Sequence, residues 1–457
     1  MRKFVLLCIG VLASALAGGE AKAAVPAESS AGAAPSLGRY IVVLRQGADA
    51  AQVTAKHGKA YGFAPQLVYR HALRGYAATL PEAALAGIAS RPEVRFVSED
   101  GEVTAASCPT VTLTAVAPQC LPTGVDRIDA DASSTAAGNA QGEVPVNVAV
   151  LDTGTEGSHP DLNVVGGVNC TGDNRGALVD PGKVAHGTHV GGIIGAKDNG
   201  FGVVGIAPGA RLYSVRVLEK DVEGTVSMLL CGLDWVIATR SNADPTDDIA
   251  VANMSLSAGR EDDGNCGRTN QDALHLAICN AAAAGIVSVA AAGNEGVDLA
   301  SSAPATYDEV LAVTAIVDYD GRPGGLGTMP PNFPKYSCGP EDDDSGAFFS
   351  NFATQVADQS HTIAAPGACI YSTWSEARYS LLSGTSMATP HVAGTAALCI
   401  ASGRCARLTP QQIVDKIVSD AARYNNAKRN SGYGFQDDPL RPISGKYYGY
   451  LIRAALY

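Results

Sequence analysis

Gly384-Thr385-Ser386-Met387-Ala388-Thr389-Pro390-His391-Val392-Ala393 is the stretch on which the reading of this chain turns. It opens a long apolar run, Ala388 to Ala401, that reads as a buried helix, with Pro390 accommodated in the first turn where no N–H partner is needed. Ser386 then stands at a helix N-terminus, where unpaired backbone N–H groups and the positive end of the dipole can hold an oxyanion. Taken alone, such a serine is only an N-cap. Two upstream segments change that reading. Val148-Ala149-Val150-Leu151-Asp152-Thr153-Gly154 reads as a fully buried strand ending in a carboxylate, then a turn. His186-Gly187-Thr188-His189-Val190-Gly191-Gly192-Ile193-Ile194-Gly195 reads as the start of a helix rich in small residues. A buried Asp is costly unless paired, and His is the obvious partner.

Asp, His and Ser in that chain order are one of the known orders of the nucleophilic triad. The blocks Leu151–Gly154, His186–Gly192 and Gly384–Gly394 resemble the three signature blocks of the subtilisin-like serine proteases, the subtilases, with a likeness to the proteinase K-like branch. The resemblance runs from about Val125 to about Asp420, interrupted by an unusual insertion near 318–348 that carries Pro323, Pro330, Pro331 and Pro334. It implies that Asp152 orients and stabilises the imidazolium, that His186 moves the proton, and that Ser386 attacks the scissile carbonyl. It further implies that Asn294, in Ala290-Ala291-Ala292-Gly293-Asn294-Glu295-Gly296, donates to the oxyanion together with the backbone N–H of Ser386. A pair of histidines three apart also fits a metal site, but no helix-borne Glu follows in the metalloprotease pattern. His189 and His391 are therefore expected to be packing residues that hydrogen-bond locally.

The same resemblance implies a substrate cleft. Ser255-Leu256-Ser257 is similar to one wall of the primary specificity pocket, with Ser257 where Gly is usual, and Ala291-Ala292-Gly293 to the facing wall. The pocket floor is expected near Ser301 to Thr306, which holds no carboxylate, so a broad or apolar P1 preference is expected. Substrate should add to exposed backbone as a strand. A structural calcium ion is implied at Asp161, the Asn199 side chain and the carbonyls of Lys197, Phe201 and Val203, an all-oxygen set. Asp161 as a turn cap and the loop as a metal-free hairpin is the alternative. The acidic run Glu341-Asp342-Asp343-Asp344 reads as a solvated loop tip.

The bounds of the chain agree. With 457 residues there is room for one large unit and a smaller one. Charged residues are 17%, Gly numbers 51 and the net charge is −12, which suits a turn-rich α/β enzyme and argues against a nucleic-acid partner. Met1-Arg2-Lys3, the apolar stretch from Phe4 to Ala17 and Ala21-Lys22-Ala23 read as a secretory signal peptide over residues 1–23. The expected location is extracellular, or periplasmic in transit. No later run is long and apolar enough to span a bilayer. Of the 11 cysteines, Cys8 leaves with the signal. The ten that remain suggest disulfides, with Cys108–Cys120 and Cys399–Cys405 as local candidates.

Residues 24–38 read as an Ala/Ser/Pro/Gly spacer. Residues 39–107 show a β-α-β-β-α-β rhythm: strands from Arg39, Phe63, Leu73 and Val94, and helices from Ala48 and Pro81. This indicates a small antiparallel α+β sandwich, ferredoxin-like in pattern. Its place before a subtilase-like unit resembles the inhibitory prodomain of that family, implying an intramolecular inhibitor removed by self-cleavage near Ser107–Cys108. Residues 108–457 alternate buried strands (Val146–Leu151, Arg211–Val217, Ile249–Leu256, Ile286–Ala292, Val310–Ile316) with helices (Val226–Arg240, Gln271–Ala284, Pro410–Ala421). The expected fold is α/β, a mainly parallel sheet covered by helices on both faces, with ligands bound beyond the strand carboxyl ends. The expectation is a secreted, monomeric serine endopeptidase acting on proteins or peptides. Peptide ligation, narrow processing and a catalytically silent binding protein are the alternatives, the last disfavoured because all four catalytic positions are present.

Overall fold

Asn147–Asp152, Val251–Met254, Val287–Ala291 and Val310–Val317 have every residue buried, which is what strands covered on both faces require. They form the centre of one sheet, here in a computed structural model that describes residues 37–105, 111–113, 118–181, 184–329, 342–430 and 432–457. The expected signal peptide, most of the spacer and the expected cleavage point lie outside those residues. From one edge the strand order is Tyr450–Leu451, Thr362–Pro366, Val310–Val317, Val287–Ala291, Val251–Met254, Asn147–Asp152, Arg211–Arg216, Val164–Asn169, all parallel. Ser345–Gly346 adds antiparallel to Val310–Val317. The chain moves in opposite directions across the sheet on either side of Asn147–Asp152, so a crevice opens at the carboxyl end that carries Asp152.

Side chains of that strand alternate between two cores. Val148 and Val150 join helices His186–Gly195, Thr385–Ala401 and Pro410–Asn426 on one face. Ala149 and Leu151 join helices Val226–Thr239 and Ala273–Ala283 on the other. The expected α/β architecture is therefore present.

The N-terminal unit is the expected antiparallel sheet, ordered Pro65–Tyr69, Gly75–Pro81, Leu37–Leu44, Val94–Glu99, with helices Ala50–Tyr61 and Glu82–Ala89. Its first strand begins at Leu37, inside the expected spacer. Val42, Leu44, Tyr76, Leu80 and Ile88 form its own core. The opposite sheet face, with Ile41, Val43, Tyr69, Ala77 and Phe96, belongs to the same apolar cluster as Leu229, Leu233 and Ala277 of the large unit. Polar contacts seal the join. The Asp100 carboxylate accepts from the N–H and Oγ of Ser227 at 2.8 and 2.7 Å, at the start of Val226–Thr239. Asp234 Oδ1 accepts the N–H groups of Arg70 and Ala72 at 2.9 and 2.7 Å, and that of His71.

Several expectations need correction. The helix after Gly384 starts at Thr385, so Pro390 lies in its second turn, and the Ser386 carbonyl loses its N–H partner four residues on. Ser255 Oγ donates to that carbonyl instead, at 2.8 Å. The expected single strand Ile249–Leu256 breaks at Ser255: Val251–Met254 stays in the large sheet and Leu256–Gly259 leaves it for a small one. Cys399–Cys405 is bridged as expected, but Cys120 is a free thiol, against the expected bridge to Cys108, which lies outside the described residues. Cys170–Cys231 and Cys266–Cys279 are bridges the spacing did not reveal.

The acidic run is not a solvated tip where it is described: Asp343 and Asp344 are buried. Asp343 accepts the N–H groups of Tyr319 and Gly327 at 2.7 and 2.8 Å, and Asp344 Oδ2 those of Gly324 and Gly325. The guanidinium of wholly buried Arg127 balances them. It donates to Asp344 Oδ1 at 2.7 Å, lies 3.5 Å from Asp318 Oδ1, and donates to the carbonyls of Tyr433 and Gly434 at 2.7 and 3.0 Å. Removing the cation leaves buried carboxylates uncompensated, at a cost of about 3–5 kcal/mol. Arg127→Met should lose that much in urea unfolding of otherwise inactive protein; a loss under about 1 kcal/mol would show that the insertion does not depend on it.

Candidate active site

Asp152 ends its strand with no exposed side-chain surface, and His186 is the first residue of His186–Gly195. The two elements approach closely because Gly187 faces the Gly154 carbonyl, where a Cβ would stand 2.1 Å from the oxygen. His186 Nδ1 lies 2.7 and 2.9 Å from the two Asp152 oxygens, so the ring donates through Nδ1 and presents Nε2 elsewhere. Thr153 N–H also donates to Asp152 Oδ1, at 2.7 Å. Burial alone would depress the His186 pKa, but the Asp152 charge and hydrogen bond, with Asp180 behind, raise it above the ordinary imidazole value.

Asp180 was not singled out from sequence. Its Oδ2 accepts from Thr188 N–H and Oγ1 at 2.9 and 2.8 Å, and its Oδ1 from Thr153 Oγ1 at 3.0 Å. It supplies the acceptor that Ala185, at the N-cap, cannot. Burial, and then the nearby Asp152 charge, push Asp180 up to about 7 despite those bonds. Its one sequence signal is an acid six residues before His186.

Ser386 is buried in the first turn of its helix. Its Oγ donates to the Ser255 carbonyl at 2.8 Å, while His186 Nε2 is buried with no hydrogen-bond partner. The structure thus brings Asp152 and His186 into contact and leaves the hydroxyl turned to the neighbouring strand. Asn294 Oδ1 accepts from Thr385 N–H and Oγ1, both at 2.9 Å, and its Nδ2 is buried and unpartnered. A buried donor left open in this way requires an acceptor from elsewhere. A hydroxyl, an oriented imidazole with a free nitrogen and an unpaired amide donor are the parts that acyl transfer needs.

The expected walls flank this group. Ser255 precedes strand Leu256–Gly259, and Asn253 Nδ2 fixes its hydroxyl at 2.9 Å. Ala291 and Ala292 are buried, and Gly293 (φ 105°) donates to Thr385 Oγ1 at 3.2 Å. The tail of the N-terminal unit, Glu102–Ala105, pairs antiparallel with Leu256–Gly259 on one side and Glu223–Thr225 on the other. Thr104 stands opposite Ser257 and Ala105 opposite Leu256, with Val103 buried. His189 Nε2 contacts the Ile370 and Ser380 carbonyls at 3.0 and 3.1 Å, and His391 Nδ1 donates to Met387 O at 2.8 Å. Burial holds the two rings down to about 3 and about 4, so they are neutral packing residues.

Asp161, Asn199, Lys197 and Val203 do converge. Asp161 is wholly buried; its oxygens accept Asn199 Nδ2 and Val203 N–H, each at 2.9 Å, and Tyr379 OH at 3.2 Å. Phe201 N–H donates to Asn199 Oδ1 at 2.9 Å. Gln119, which was missed, donates from Nε2 to the Lys197 and Val203 carbonyls at 2.7 and 3.1 Å. Burial pushes Asp161 up to about 6, a carboxylate in want of a cation. Amide groups can turn oxygen or nitrogen inward, so this donor set fits calcium.

Among the described residues no helix is long and apolar enough to cross a membrane. The sequence profile of the Subtilase family matches residues 145–435, and that of Peptidase inhibitor I9 matches residues 39–106. Subtilisin NAT of Bacillus subtilis subsp. natto is 34% identical over 356 residues, 77% of this chain and 76% of that one. Subtilisin DY of Bacillus licheniformis is 34% identical over 314 residues, 68% of this chain and 94% of that one. A family match over more than half of the chain, with relatives this similar across its length, makes the chain a member of the subtilase family: a serine endopeptidase carrying an inhibitor-type unit at its N-terminal side.

Proposed function

We propose that Asp152, His186 and Ser386 form the catalytic triad of an endopeptidase secreted as a zymogen, with Asn294 as oxyanion donor. The observation that carries this reading is the buried Asp152–His186 pair beside two orphaned groups, His186 Nε2 and Asn294 Nδ2. The reaction requires the Ser386 side chain to leave the Ser255 carbonyl so that Oγ meets Nε2. His186 takes the hydroxyl proton as Oγ attacks the peptide carbonyl, Asp152 stabilises the imidazolium, and the oxyanion takes the Asn294 amide and the Ser386 N–H. His186 then returns the proton to the leaving amine, and water repeats the cycle on the acyl-enzyme. Substrate lies along Ser255–Ser257, where Glu102–Ala105 now pairs, with Ala291–Gly293 opposite. The side chains at 301–306 include no carboxylate, which supports apolar or broad P1 preference.

On peptide substrates, with Ser386→Ala cut to the mature form by added wild-type enzyme that is then removed, the variant should lose about 10⁴–10⁶ in kcat. Asn294→Ala should cost about 10²–10³ with little change in KM. Leu at P1 should be cut faster than Lys; strong Lys preference would overturn the pocket reading. His186 acts as base only when neutral and its pKa is raised. Activity should therefore fall on the acid side with a midpoint above about 6.5. A midpoint below that value would show that the Asp152 charge does not control the ring.

The tail register supports self-cleavage close behind it. Ala105 stands opposite Leu256, the neighbour of Ser255, which is the partner of Ser386. N-terminal sequencing of exported protein should find a mature start at Ser107 or Cys108, and Ser386→Ala should remain uncut. A start before Ser90 would reject this boundary, and with it the division of the chain into 39–107 and 108–457.

Asp161, Asn199, Gln119 and the carbonyls of Lys197, Phe201 and Val203 would hold calcium in a structural role. At 100 times Kd such an ion adds about 2.7 kcal/mol. Withdrawal of calcium, with zinc buffered at a fixed level, should lower the melting temperature of the wild type but not of Asp161→Asn; equal melting of wild type with and without calcium would remove the site.

A further inference from the structure

His275 is a buried titratable residue that the proposed catalysis does not use. It is the third residue of helix Ala273–Ala283 and only 1% exposed. Its ring stacks on Tyr307, with centroids 4.1 Å apart and planes 1° from parallel. Nε2 lies 3.0 Å from Glu309 Oε2, so that nitrogen carries a proton donated to the carboxylate. Nδ1 is buried and makes no hydrogen bond, yet lies 3.3 Å from Asp262 Oδ1 and 3.3 Å from Asp263 Oδ1. All three candidate ligand atoms fall within 4.8 Å of one another.

The two carboxylates are rigidly placed. Asp263 accepts the N–H groups of Asn265, Gly267, Thr269 and Asn270, at 2.8, 2.9, 2.7 and 3.2 Å. Asp262 accepts those of Gly264 and Asp308, at 2.8 and 3.3 Å. A neutral His275 would aim its Nδ1 lone pair at two anionic oxygens, which is repulsive, so a positive species belongs between them. One candidate is a proton on Nδ1: Glu309, Asp262 and Asp263 raise the pKa of the ring although burial opposes it. The other is a metal ion, and the spacing favours it. Two ligands at about 2.0–2.1 Å from a tetrahedral centre stand roughly 3.3–3.4 Å apart, which is the separation seen here. Glu309 stands where an orienting carboxylate stands behind a metal-bound histidine.

We propose that His275 Nδ1, Asp262 Oδ1 and Asp263 Oδ1 form a three-ligand site for a divalent transition-metal ion of the zinc class, with water completing the coordination. The nitrogen ligand separates it from the all-oxygen calcium set at Asp161. Cys266 and Cys279 are bridged to each other and are not ligands. The ion would pin the loop that follows the substrate-wall strand Leu256–Gly259 to Ala273–Ala283, next to the turn that carries Tyr307 and Glu309.

The test is zinc titration by calorimetry of the full chain carrying Ser386→Ala, with excess calcium present to fill oxygen sites. One equivalent should bind. His275→Gln and Asp262→Asn should each weaken binding at least tenfold, and Glu309→Gln by about 10–100-fold. His71→Gln, an exposed histidine elsewhere, should change nothing. Cobalt in place of zinc should give visible d–d bands that Asp262→Asn abolishes. Should His275→Gln fail to fold, Asp262→Asn decides, because that side chain is partly exposed and its variant can be checked by its metal-free melting temperature. No stoichiometric binding, or binding that His275→Gln and Asp262→Asn leave unchanged, would overturn the site and leave an imidazolium bridging two carboxylates.

Discussion

A carboxylate with no exposed surface, at the end of a strand buried on both faces, is the constraint around which the large unit is arranged. Asp152 needs donors, and the fold supplies them from two directions: Thr153 N–H, and His186 Nδ1 shared between both oxygens. His186 can reach it only because Gly187 lets its helix sit against the Gly154 carbonyl. The reversal of chain direction on either side of Asn147–Asp152 keeps that end of the sheet open. Pairing the buried charge therefore fixes the orientation of the imidazole at the open end of the sheet.

The second fixed point is a consequence of proline. Pro390 leaves the Ser386 carbonyl without its helical partner, and Ser255 Oγ takes the vacancy while the Ser255 carbonyl receives Ser386 Oγ. The two serines are thus stitched reciprocally at the residue where one strand ends and the wall of the cleft begins. Helix Thr385–Ala401 and the strand Leu256–Gly259 that follows Ser255 cannot shift independently. Thr385 plays the matching part on the other side, holding Asn294 by its oxygen and Gly293 by its N–H.

What was legible from the chain follows from which interactions are local in sequence. Apolar runs such as Val310–Val317 and helix starts such as Thr409, which caps Pro410–Asn426 with Gln412, are written in neighbouring residues. Asp152, His186, Asn294 and Ser386 sit in motifs whose chemistry restricts them closely. Gln119 was missed, and the Asp343–Asp344 pair misread, because partners of each lie far along the chain. A run of acids looks solvated until Arg127, more than 200 residues away, is folded against it. Glu102–Ala105 is too short to stand as a strand alone; it pairs because two other strands offer their backbone groups.

The join between the two units has a kinetic meaning. Because tail and sheet belong to the same chain as the cleft, the local concentration of the blocking strand is set by geometry, in the millimolar range for a short link. Dilution into the surroundings cannot relieve it. Cutting changes the order of the problem from intramolecular to bimolecular. A piece released in this way would expose a sheet face bearing Ile41, Val43, Ala77 and Phe96 and keep only a small core of its own. A fragment of that size with an apolar face is marginally stable and an easy substrate. Activation would therefore run as a ratchet: slow while the first tails are removed, then self-accelerating as free enzyme consumes the remaining inhibitor.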